Sequence, residues 1–187
     1  MFYKKLLSLS VAALLSVVLP AQAMSIEDAY KAIPKQQITY DPTASPLDEE
    51  HRSYLNAFFS LIDIAVAVRV EMLDKMYHDA SYDYAYYRDN YHFVINEISS
   101  LQTPYDLYDT QRLTLEALRE QWQFFEQWHY ADRSMKQGYK NYASHPDVQG
   151  ASRKLIAAYN VFMRQYSEET GHNKKAFYTH LCALDFL

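Results

Sequence analysis

An all-α fold, an antiparallel bundle of four main helices with short helices at its ends, follows from three observations. Strand signals are nearly absent: the 187 residues include only three glycines, and no alternating run is bounded by turn residues. Apolar residues instead recur three and four positions apart along four long segments. Three of those segments open on proline-bearing start signals: Ser45-Pro46-Leu47-Asp48, Thr103-Pro104-Tyr105-Asp106 and Ser144-His145-Pro146-Asp147.

Residues 1–23 have the three parts of a secretory signal: basic Lys4 and Lys5, an apolar centre from Leu6 to Leu19, and the small-residue site Ala21-Gln22-Ala23. Cleavage before Met24 would deliver the chain to the periplasm or the outside of the cell. The apolar centre is short for a spanning helix, which needs about 20 residues. No later segment is apolar for long enough, because Asp63 and Arg69 interrupt the best one, so no integral membrane segment is expected after cleavage. The net charge is −5, and loss of Lys4 and Lys5 makes the remainder more acidic. That balance argues against nucleic acid and anionic lipid as partners. Cys182 is the only cysteine, which excludes an intrachain disulfide and favours a buried small hydrophobe at that position.

Residues 24–45 read as a short helix, Ser25 to Ile33, capped by Ser25 and stopped by Pro34, followed by an extended strap through Pro42. Ile38 and Tyr40 are its apolar anchors. The bundle domain then occupies 46–187. Its spine is the stretch from Ser45 to Asp79, where Leu55, Phe58, Ile62, Ala65, Met72 and Met76 share one helical face. Arg69 projects from the middle of that face, while Ser60, Asp63, Glu71, Asp74 and His78 lie opposite. A second helix, from Tyr82 to Ser100, aligns Tyr84, Tyr87, Tyr91, Val94 and Ile98. The third runs from Pro104 to about Gln137, where Gly138 ends or bends it, and two apolar stripes make it a helix with two neighbours. One stripe passes through Trp122 and Phe125 to His129, the other through Phe124 and Trp128 to Met135. The fourth starts at Pro146, presents Leu155, Tyr159 and Phe162, and is closed by Gly171. A final short helix, capped by Asn173, carries Phe177, Leu181 and Leu184.

Arg69 is the sharpest candidate for a site. A cation in a core stripe requires a partner, and Glu97 and Asp132 are the acids placed to supply one. Asp132 continues the line of Thr114 and Gln121 between the two stripes of the third helix, so these three are expected to point inward. An arginine fork facing a pocket suits carboxylate or phosphate ligands, with Gln121, Asp132 and His129 as companions. The apolar helix with a single arginine, FFSLIDIAVAVRV, resembles one feature of secreted all-helical chorismate mutases, which hold a dicarboxylate with core arginines and a lysine. No lysine follows three turns later on the same face, and no Arg-Glu pair opens the next segment, so the resemblance assigns no membership.

Five of the seven histidines follow an acid by three or four residues: Asp48/His51, Asp74/His78, Asp89/His92, Glu126/His129 and Glu169/His172. Such pairs support helix surfaces. Glu-x-x-His is also the di-iron spacing of ferritin-like bundles, which makes a carboxylate–histidine metal site the weakest reading. Tyrosine is abundant, 18 in all, with Tyr82 and Tyr86 lying off the core face of the second helix as candidates for contact with a protein partner. Nucleophile elbows, reactive-cysteine signatures and glycine-rich phosphate loops are lacking, and no pattern calls for a cofactor. The expected role is a non-enzymatic binding or interaction module, with a small-anion site or enzyme around Arg69 as the alternative.

Overall fold

The computed structural model describes residues 38–139 and 142–185. The expected export signal at 1–23 and the expected helix at Ser25–Ile33 lie outside the described residues. Among these, the chain is all-α: α1 (Glu49–Tyr77), α2 (Tyr84–Ser100), α3 (Tyr108–Tyr130), α4 (Arg133–Tyr139), α5 (Pro146–Gln165) and α6 (Gly171–Asp185), with single 3₁₀ turns before α3 and α5. None is long and apolar enough to cross a membrane.

The apolar spacing of α1 is realised in full. Leu55, Phe58, Ile62, Ala65 and Met72 are completely buried, and Met76 and Arg69 are almost so. Each large apolar side chain buried in this way contributes roughly 1.5–3 kcal/mol. Packing runs from α1 to α2, α2 to α3, α3 to α5, α5 to α6, and from α6 back to α1, so these helices close around a common core. Phe59, Phe162 and Phe177 meet at its centre with ring centroids 5.0–5.7 Å apart.

Helix starts depart from the expected capping. The N-cap of α1 is Asp48, whose Oδ1 accepts the His51 N–H at 2.9 Å. Ser45 instead donates to the buried carboxylate of Glu169. At the second signal, Asp106 reaches across to His51 and Tyr166, and α3 starts two residues later. At the third, Pro146 is in the first turn as expected, but His145 caps rather than Ser144.

The third segment is two helices. The backbone turns extended at Ala131 (φ −66°, ψ 141°), and α4 begins at Arg133 with Gly138 inside it. Asp132 accepts hydrogen bonds from the Ser134 and Met135 backbone N–H groups at 2.9 and 3.0 Å, the geometry of an N-cap. Similarly, Gly171 opens α6 instead of closing α5, and Thr170 caps it through Oγ1, 3.2 Å from the Asn173 N–H.

From Ile38 onward the strap is docked on α6. Tyr40 is buried against Phe59 and Phe177, and its N–H donates to His180 Nε2. Asn173, completely buried, accepts the Asp41 N–H and donates to the Asp41 carbonyl and to Glu169. These bonds satisfy backbone groups that an irregular segment cannot pair internally.

Candidate functional site

Arg69 is buried as its position in the stripe requires, at 1% exposure, while Glu97 and Asp132, the acids expected beside it, are both exposed. Its Nη1 donates to the Leu184 carbonyl at 2.7 Å and to that of Ala183 at 3.5 Å. Its Nη2 donates to the Asp185 carbonyl at 3.1 Å and to the Tyr142 hydroxyl. These carbonyls end α6 and have no acceptor role left within the helix. The guanidinium therefore caps α6, and its charge meets the negative end of that helix's dipole. Gln121 joins the same point: its Nε2 donates to Leu184 O at 2.6 Å while its Oε1 accepts the Tyr91 hydroxyl at 2.6 Å. Burial pushes the Tyr91 phenol up, against the pull of the Arg69 charge. It also raises the Asp185 carboxyl, which Ser152 and Arg69 draw in the other direction.

Arg69 and Gln121 are thus brought together, as the sequence spacing suggests, and Asp132 and His129 are not part of that group. Asp132 is exposed at the break before α4, because the helix that would have turned it inward stops at Tyr130. Glu97 is exposed on α2. Thr114 is buried beside Gln121 on α3 as expected. Tyr82 is half-buried rather than displayed on the surface: it precedes α2, stacks on Trp128 with centroids 5.2 Å apart, and bonds His129 Nδ1 at 2.7 Å. Tyr86 is 54% exposed.

Of the acid–histidine pairs, Asp48/His51 closes at 2.7 Å and Asp74/His78 at 3.1 Å. His129 takes Tyr82 instead of Glu126, and lies flat on Tyr84 with centroids 3.8 Å apart. His172 bonds the Thr39 carbonyl, leaving Glu169 to Ser45 and Asn173. Among the described residues, no group of three or more His, Cys, Asp or Glu is placed to hold a metal ion.

The break between α3 and α4 creates a second place of interest. An open cleft of about 560 Å³ lies there, lined by Asp79, Ala80, Tyr82, Trp128, Ala131, Arg133 and Lys136. Its volume is in the range of small-molecule sites. One wall is the Tyr82–Trp128 stack. Lys136 lies over the Trp128 ring, 4.8 Å from its centroid, and Arg133 supplies a second cation. The Asp79 corner has left-handed backbone (φ 49°) and ends α1, with the Ala80 N–H returning to the Lys75 carbonyl at 3.0 Å. Behind the wall, burial and then the Lys136 charge lower the affinity of His129 for a proton. Neutral His129 accepts the Tyr82 hydroxyl, and burial pushes that phenol up to about 12. The cleft is thus walled by half-buried Tyr82 over a buried Trp128, with cations at its rim and a neutral hydrogen-bonded backing.

Trp128, Arg133 and Lys136 were not legible as neighbours in the sequence. Trp128 is in the core at 4% exposure, as its stripe requires, but a continuous helix would have spread the two cations along it. The one available signal is Asp132-Arg133-Ser134, an N-cap residue followed by a helix start. No family model, curated protein or solved structure matches the chain.

Proposed function

We propose that this chain is an exported, non-enzymatic binding protein whose recognition site is the cleft between α3 and α4. The observation that carries the reading is half-buried Tyr82, backed by the buried Trp128 ring, beside Arg133 and Lys136 in one open concavity. Such a surface suits a ligand or partner side chain with a planar or apolar body and an anionic group. The export signal supports a role outside the cytoplasm. The alternative of an anion pocket around Arg69 draws less support, because that guanidinium is engaged by the end of α6.

Phenylacetate is a suitable probe, read by tryptophan fluorescence. A saturable change is expected in the native protein, weakened at least tenfold in the Arg133→Ala/Lys136→Ala variant. Arg133 is exposed and Lys136 half-buried, and substitutions outside the core usually change stability by within about 0.5 kcal/mol. The absence of a saturable change at millimolar probe, or equal affinity in the variant, would remove the cleft from consideration.

A further inference from the structure

A groove runs between α5 and α6 on a face remote in sequence from the cleft. Two adjoining hollows, of about 270 and 450 Å³, share Tyr159 and Tyr178 as a common wall. The floor is apolar, yet Ile156 is 52% exposed and Tyr178 56%. Cys182 lines the far hollow, Ile38 and Met163 the near one. Because Ile38 lines the near hollow, the residue bonded before it starts at the groove.

We propose that the groove is the docking site for residues 25–33 of the same chain. Ile26, Ala29, Tyr30 and Ile33 are spaced three, four and seven residues apart, which makes one apolar helical face, with Glu27, Asp28 and Lys31 turned away from it. Ile26 to Ile33 and Ile156 to Met163 are the same number of residues apart, so at 1.5 Å per residue each stripe is about 10 Å long. Residues 34–37 extend at most roughly 3.3–3.6 Å each, enough to carry the chain from Ile38 onto the groove. The helix then runs with its carboxyl end beside Lys174 and Lys175 at the near hollow and its amino end toward Asp185 at the far one. That orientation opposes each end of the helix dipole with the favourable charge. Docking buries the aromatic and aliphatic rim, and it makes the segment after the export signal part of the folded domain.

Cys182, the chain's only cysteine, provides the test because it lines the far hollow. Ile26→Cys and Ala29→Cys place a thiol on the docking face; Asp28→Cys places one on the opposite face. Under oxidised glutathione, Ile26→Cys or Ala29→Cys should form an intrachain disulfide with Cys182 at least tenfold faster than Asp28→Cys, read as a cross-linked peptide by mass spectrometry. Equal rates at all three positions, or no intrachain bridge, would overturn the proposal. Bridging exclusively between chains would also overturn it, since the occupant would then be a second copy.

Discussion

At Arg69 main-chain carbonyls at the end of α6 meet much of the cost of burying a charge. Hydrogen bonds to a charged group contribute about 1.5–3 kcal/mol, and leaving a buried acceptor unpaired costs about 1–3 kcal/mol. Gln121 shares the load, since it bridges Leu184 and Tyr91. Gln121→Leu should therefore destabilise the protein by about 2 kcal/mol in urea unfolding, with Leu184 O and the Tyr91 hydroxyl each losing a partner. The burial of Arg69 was readable from the helical period alone. Its partners were not, because no periodicity shows that the end of a helix more than 100 residues later lies against it.

His51 and His129 pull stability in opposite directions with pH. Burial lowers the proton affinity of His51, but hydrogen bonds and charges from Asp48 and Asp106 outweigh it, and the net shift is upward from 6.5. A raised folded-state value stabilises fully below about pH 6.5 and loses that contribution as pH rises through the folded value. His129 is shifted down, so its contribution is present above about pH 6.5 and is lost as pH falls through its folded value. The difference in Tm between the native protein and His51→Gln should accordingly be larger at pH 5.5 than at pH 8.5. A gap that widens toward pH 8.5 would contradict this assignment.

Elements show where local chemistry overrides a long apolar pattern. The two stripes on α3 are real as far as Trp128, but Asp132 offers its carboxylate to the Ser134 and Met135 N–H groups and begins a new helix. A cap of this kind contributes about 1 kcal/mol, comparable with the gain from continuing a helix through a short polar stretch. Asp132→Ala should loosen α4 selectively. Amide exchange over Arg133–Tyr139 is expected to rise roughly fivefold, the equivalent of about 1 kcal/mol of local opening, with α3 unchanged. Uniform exchange across both helices would show that the break is not held by this cap. The same logic explains why the Ser-Pro and Thr-Pro signals marked neighbourhoods of helix starts but not their first residues: Ser45 and Asp106 found partners in other elements.

For the whole molecule, the fold class was legible because period and punctuation agree along the chain. What the sequence did not disclose depends on pairs far apart: Tyr40 with His180, Asp41 with Asn173, Arg69 with Leu184. These contacts make α6 the common fastening for the strap and the spine. Asn173→Leu should remove both bonds that hold the Asp41 backbone, so proteolytic cleavage within 38–47 should be faster at native conditions, while helix content by circular dichroism is retained. Unaltered cleavage would place the anchorage elsewhere.

The central claim is that the buried guanidinium holds the last helix in place and is not held in reserve for a ligand. Urea unfolding of Arg69→Met is its most direct measurement. The capping role predicts a loss of about 3 kcal/mol, the cost of removing one side of a buried charged network. A variant as stable as the native protein, or more stable, as removal of a ligand-contacting charge from a strained site often gives, would contradict it.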